Sequence, residues 1–296
     1  MVDINVGVVL PTVRVRDGSA WHVTAAARRA EALGFESVWA VDQLVLGTGL
    51  PVLDSLTALT AAAAVTERVR LGVGVLVLPL RPAVWVAKQV ASLQLLSGDR
   101  VLLGVGVGGD RHGRSLTAVD VSRRDRGRLT DEALRVLPDL IAGKPTLLPS
   151  GAEVQLSPQA TVPPIIVGGM SDAAVRRIDE HGAGWFLTST PAEIPEQLAR
   201  VRGPRPEITA SAMVAVDGDP SLPDRATMVR SISDPDGLFG FPAEAAEDAL
   251  ISADPAGIAA RLARFAEVGV QRVVVTFVAG DWFRQAELLA EACRLL

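Results

Sequence analysis

The sequence predicts a (β/α)8 barrel, the TIM barrel, and three observations predict it. Short β-branched apolar runs alternate with longer amphipathic segments along the whole chain, the alternation repeats eight times, and glycines close several of the amphipathic segments. Alternation of this kind marks repeated βα units around a parallel sheet. Eight strict repeats in 296 residues fit a closed barrel better than an open doubly wound sheet, which has fewer strands.

Taken in order, the first unit pairs an apolar strand at 4–10 with a helix at 20–33 that carries His22 and stops at Gly34, a glycine placed for a left-handed cap. The second joins a strand at 37–41, with Trp39 in a core position, to a helix at 55–66. The third has a long β-branched run at 69–78, then a helix at 83–96 with Trp85 in a core position, closed by Gly98. The fourth runs from a strand at 101–107 to a helix at 123–141, after which a hairpin is expected at 146–156. A strand at 164–167 leads to a helix at 171–181 ending at Gly182, and a strand at 184–188, containing Trp185, to a helix at 192–201. The seventh strand, 208–216, is separated from its helix at 255–268 by a stretch rich in Pro, Asp and Ser, and the eighth unit is 272–278 with 282–296. An insertion thus precedes the seventh helix, and long excursions at barrel strand ends are usually active-site lids. No segment has the composition of an interdomain linker, so residues 1–296 are read as a single domain.

Composition excludes several function classes. The chain is 49% hydrophobic and 21% charged with a mean hydropathy of +0.31, yet its apolar runs fall short of the ~18–20 residues a membrane helix needs. Met1-Val2-Asp3 places no basic segment before an apolar core, so no secretory signal is expected and the cytoplasm is the expected compartment. A net charge of -5 argues against nucleic acid as a partner, despite a local cluster of arginines from Arg111 to Arg128. Three scattered histidines and one cysteine, Cys293, leave no zinc site and no intrachain disulfide. Neither Lys88 nor Lys144 sits at a strand end, which disfavours a Schiff-base aldolase.

In a TIM barrel the reactive groups lie on the loops that follow the strands. Those loops offer Asp42 and Gln43 after the second strand, Gly106 and His112 after the fourth, Gly168, Gly169 and Ser171 after the fifth, and Thr188 after the sixth. Asp42 either faces a ligand or caps its own loop. His112 is the one histidine placed to act as a general acid or base, unless it is an exposed loop residue. Gly168 and Gly169 precede a helix whose freed amides, with the dipole behind them, form an anion site, and Ser171 adds a hydroxyl; a plain tight turn reads equally from the same residues. Asp172 would oppose a phosphate there unless it points away. The glycines from Gly104 to Gly109 lack the spacing of a nicotinamide fingerprint and are read as clearing space for a flat ring.

Blocks along the whole chain carry a resemblance: Glu31–Trp39, Arg70–Pro82, Ala87-Lys88-Gln89, Leu96–Arg100, Leu103–Gly106, Pro163–Gly169, Gly182–Trp185 and Ser252–Pro255. In order and spacing they resemble the luciferase-like monooxygenase superfamily, TIM barrels that use FMN or the deazaflavin coenzyme F-420. The resemblance implies that Gly74-Val75 forms a third-strand bulge, often with a cis peptide, that backs the flavin ring, and that Gly168, Gly169 and Thr188 hold the cofactor phosphate. Many deazaflavin members have Asp-His after the second strand where this chain has Asp42-Gln43, and a glutamine cannot shuttle protons near neutral pH. Members that oxidise sugar phosphates carry a glutamate where this chain has Gly109. The function implied is a flavin-type oxidoreductase acting on a small organic substrate, with F-420 preferred over FMN. The alternatives are an FMN-dependent monooxygenase and a non-catalytic flavin-binding barrel; members often form homodimers.

Overall fold

A computed structural model describes residues 4–13, 21–47 and 49–296. Its strands are β1 (Asn5–Val9), β2 (Ser37–Ala40), β3 (Arg70–Val77), β4 (Val101–Gly106), β5 (Thr146–Leu147), β6 (Glu153–Val154), β7 (Ile165–Gly168), β8 (Gly184–Leu187), β9 (Ile208–Val216), β10 (Leu250–Ala253) and β11 (Arg272–Phe277). The helices are α1 (Val23–Leu33), α2 (Ser55–Ala63), α3 (Ala83–Ser97), α4 (Gly113–Ala118), α5 (Arg126–Ile141), α6 (Asp172–His181), α7 (Ile194–Leu198), α8 (Arg225–Ser233), α9 (Ala243–Ala249), α10 (Pro255–Glu267) and α11 (Trp282–Cys293). All eight expected barrel strands are present, and they pair in parallel in the cyclic order β1-β2-β3-β4-β7-β8-β9-β11, with β11 returning to β1. The barrel is closed, and β5 and β6 form the expected antiparallel hairpin.

Several expectations need correction. The first helix begins at Val23, with His22 at its N-cap, and Ala20 lies outside the described residues. The segment expected as one helix from residue 123 starts at Arg126, and ahead of it stand α4 and a 3-10 turn at Asp110–His112 that the sequence pattern did not reveal. The sixth helix shrinks to the five residues of α7. The insertion contains α8, α9 and β10, the last a short parallel strand added to β9. Trp85 is 63% exposed, because Val86, Ala87, Val90 and Ala91 turn the other face of α3 to the sheet.

Two layers of packing hold the barrel. The larger lies between the sheet and the helices. Inside the barrel, Trp39, Leu102, Ile166, Phe186 and Val274 form a separate cluster that Val9 and Val75 cover. Trp39 meets Phe186 edge-on with centroids 5.6 Å apart, and its indole N–H donates to Ser37 Oγ at 2.7 Å, so the buried ring keeps its polar atom satisfied. At the N-terminal end Arg272, 2% exposed, pairs with Glu36 at 2.8 Å and Glu207 at 2.7 Å. The interior is therefore filled from the Arg272 end up to Val75, and open space begins only above it, at the C-terminal ends of the strands.

Candidate functional site

That space is a cavity of about 400 Å³ bordered by all eight barrel strands and by the insertion. Its floor is the β3 bulge. The register of β3 against β4 shifts between Val73 and Leu76, and the Gly74-Val75 peptide bond is cis, as the resemblance implies. The shift sends the Val75 side chain into the barrel. A Cβ at Gly106 would lie 2.8 Å from Val75 Cγ2, and one at Gly168 would lie 3.0 and 3.1 Å from its two γ-carbons. Gly106 and Gly168 are thus small because Val75 occupies the room. The expectation that these glycines clear space for a ring is corrected to one step removed: they seat the side chain that forms the platform.

Asp42 borders the cavity but its carboxylate is committed elsewhere. Oδ2 accepts from Val77 N and Arg81 Nη1, both at 2.8 Å, and Oδ1 from Ser55 Oγ at 2.9 Å and Arg81 Nη2 at 2.8 Å. Arg81 also reaches Asp54 Oδ2 at 3.0 Å. Burial works against the Arg81 charge, but Asp42 and Asp54 outweigh it and hold the guanidinium above its ordinary pKa. A carboxylate with all four lone-pair directions filled is a brace. Asp42, expected among the catalytic groups, instead ties β2, β3 and α2 together and so fixes the positions of Gln43 and the bulge.

The free polar atoms lie beside it. Among the described residues the buried side-chain atoms without a hydrogen-bond partner are Thr12 Oγ1, Gln43 Oε1, Arg111 Nε and His112 Nδ1, and the last three belong to residues bordering this cavity. Burial is the largest influence on His112 and lowers its pKa below the ordinary 6.5, with the Arg111 charge adding to the effect. The main-chain carbonyls of Asp42 and Gly109 and the charge of Asp42 pull the other way and are outweighed. His112 is consequently a neutral imidazole at neutral pH, and not an exposed loop histidine.

Arg111 also fastens the insertion. Its Nη2 donates to the Gly237 carbonyl, and the segment just beyond contributes Leu238, Phe239 and Phe241 to the cavity wall. The insertion expected to be a lid therefore covers the barrel mouth. Arg111 stands out in the sequence only as one of an arginine cluster, and Arg81 and these phenylalanines do not stand out at all; an arginine in a loop carries no local signal of where its guanidinium ends.

Across the cavity stand Gly168, Gly169 and Thr188. Gly169 has φ +116°, which only glycine adopts without strain, and its carbonyl accepts from Trp185 Nε1 at 2.7 Å. Ser171 does not border the cavity; its Oγ accepts from Ala174 N at 3.3 Å and caps α6. Asp172 is drawn off by Arg200, whose Nη2 pairs with it at 2.6 Å, so the objection to an anion at the Gly168-Gly169 turn is reduced. Among the described residues no group of side chains could hold a metal ion, and no helix is long and apolar enough to cross a membrane.

The family model of the luciferase-like monooxygenases matches residues 4–233. Among solved structures, an F420-dependent secondary alcohol dehydrogenase in complex with an F420-acetone adduct superposes with a TM-score of 0.79 at 18% identity, over 98% of both chains. A monooxygenase from Streptomyces bottropensis gives 0.78 at 22% identity over 99% of both chains. These likenesses establish the fold. Among curated relatives, a Mycobacterium tuberculosis protein of unassigned function is 35% identical over 54% of this chain and 56% of its own length. The 4-hydroxyprotoasukamycin monooxygenase of Streptomyces nodosus subsp. asukaensis is 29% identical over 56% of this chain and 46% of its own. The chain thus spans about half the length of the curated relatives it matches.

Proposed function

Because the chain belongs to the luciferase-like monooxygenase family, we propose that it is a flavin-type oxidoreductase that acts on a small organic molecule at the barrel mouth. One observation carries this reading. Three residues that each hold a buried polar atom without a partner, Gln43 (Oε1), Arg111 (Nε) and His112 (Nδ1), border the same cavity as an apolar platform made by Val75. Buried polar groups are rarely left unpaired, and orphans gathered in one cavity mark a place where a ligand supplies the partners.

The residues fit a flat tricyclic ring. Gly74 and Val75 would back its face, Gly168, Gly169 and Thr188 would hold a phosphate on its side chain, and Gln43 would meet the polar edge. Bound there, the cofactor supplies the hydride chemistry. His112 does the proton work: neutral and with Nδ1 bare, it accepts the proton of a substrate hydroxyl on oxidation and returns it on reduction. It thereby supplies, from the loop after β4, the imidazole that position 43 lacks. Arg111 orients a substrate oxygen through Nε and, with Phe239 and Phe241, excludes water.

F-420 is the preferred cofactor, since an imidazole beside the ring suits hydride exchange with an alcohol or carbonyl. FMN with oxygen is the second reading, favoured by the monooxygenases among the relatives. Titrating the purified protein with each cofactor, followed by fluorescence, separates them. Tight FMN binding with no F-420 binding reverses the preference, and binding of neither removes the flavin-type reading.

A further inference from the structure

The barrel wall is not continuous around its rim. One edge of β9 pairs with β11 along Thr209–Val214. The other edge has two partners in succession: β8 over Ile208, Thr209 and Ala210, and β10 over Met213 to Val216. Between them Ser211 and Ala212 have no partner on that edge. A helix of ordinary length after β8 would cover the interval, but α7 has only five residues.

Outside this interval lies a second cavity of about 420 Å³, between the loop 188–192, β10 and α10. The two cavities share Thr188, Ser211, Met213 and Phe241, the residues at the interval. On the outer side the second cavity is bordered by Arg261 and Arg264, one helical turn apart on α10. Neither guanidinium takes part in an ion pair or a hydrogen bond among the described residues, whereas Arg81, Arg100, Arg177 and Arg272 are each engaged by oxygens. Asp248 and Glu267 border the same cavity, so its four charges sum to zero, and what favours an anion there is the pair of unengaged guanidiniums one turn apart and not the net charge.

We infer that the interval is a side window through the barrel wall: an elongated ligand seated in the central cavity passes Ser211 and sets a single anionic end, carboxylate or phosphoryl, against Arg261 and Arg264. The four residues common to the two cavities are two hydroxyl-bearing ones, Thr188 and Ser211, and two apolar ones, Met213 and Phe241, so the stem that passes between them is apolar or sparsely polar. The inference rests on strand pairing and on the two arginines, and it stands whichever cofactor occupies the centre.

The test compares ligands that differ only in the anion, in wild type and in the R261Q/R264Q double variant, whose exposed substitutions leave the core intact. Dodecanoate against dodecanol probes a substrate-like anion, and FMN against riboflavin probes a phosphate from the cofactor, all by calorimetry. In wild type the anionic member of at least one pair binds about tenfold tighter, the scale of a charge-assisted contact. The double variant loses that advantage while the neutral member is unchanged. Loss with dodecanoate makes the substrate the source of the anion; loss with FMN makes it the cofactor and puts the phosphate here in place of the Gly168-Gly169 turn. S211F, which narrows the window while keeping both arginines, abolishes the same advantage. If no anionic preference falls in either variant, there is no anion subsite behind the window, and an FMN preference that persists belongs to the Gly168-Gly169 turn. Because no turnover is measured, failure here leaves the oxidoreductase reading untouched.

Discussion

Gly106→Ala tests how the platform of the cavity is built. The new Cβ would stand 2.8 Å from Val75 Cγ2, short of the 3.4 Å at which ordinary contact begins. Val75 cannot retreat, because its γ-carbons already lie near the space above Gly168 and Gly104. Overpacking of this kind costs about 1–3 kcal/mol, offset by about 0.5 kcal/mol from the stiffer unfolded chain of alanine over glycine. A net loss of about 1.5 kcal/mol corresponds to a melting point lower by roughly 3–6 °C in a chain of this size. In a Val75→Ala background both γ-carbons are gone, so the same Gly106→Ala change should cost nothing measurable. The double-mutant cycle therefore has a coupling of about 1.5 kcal/mol, read by thermal and urea denaturation with the buried Trp39 and Trp185 as fluorescent reporters. Strict additivity would mean that Gly106 does not exist to seat Val75, and the platform would have to be sought elsewhere.

Three further outcomes are expected. Asp42→Ala leaves Arg81 partly buried with only Asp54 beside it, and should destabilise the protein by about 3 kcal/mol; Arg81→Lys, which cannot reproduce the two parallel bonds to Asp42, should cause part of the same loss in a urea titration. His112→Gln should lower kcat by about 10²-fold or more with cofactor affinity retained. In the wild type the rate should fall on acidification through a pKa below 6.5, because burial lowers the His112 pKa and protonation fills Nδ1. The sign for stability is the same: a histidine whose folded pKa is depressed contributes stability above its unfolded value, and that share is lost as pH falls through the folded pKa. Arg111→Ala removes the bond to the Gly237 carbonyl, worth about 1 kcal/mol, and should speed amide exchange at 237–241 while exchange in β3 and β4 stays unchanged.

The barrel was legible because a strand buried on both faces must be apolar throughout, and runs such as Val101–Gly106 and Arg272–Phe277 have that property locally. Leu250–Ala253 was not, since four residues directly following a helix read as its tail, and only their register with Met213–Val216 makes them a strand. The helix expected at 192–201 failed for a related reason: periodicity continues past Leu198, but the chain turns away toward Gly203 and Pro204. Within the site, the positions of Gly74, Val75, Gly168, Gly169 and Thr188 followed from strand ends and from resemblance, and all border the cavity. The role of Asp42 did not, because its partners Ser55 and Arg81 stand 13 and 39 residues away. His112 was visible as a residue, while its burial beside the main chain of Asp42, far off in the sequence, is a long-range contact that no local pattern encodes.

A crystal structure of the protein soaked with F-420 or FMN bears most directly on the site. The expected result is ring density stacked on the Gly74-Val75 bulge, with Gln43 and His112 at its polar edge and the phosphate near Gly169 and Thr188. Ring density anywhere else on the barrel, with the Val75 cavity left open and His112 still without a partner, would contradict the assignment of this cavity as the reacting centre.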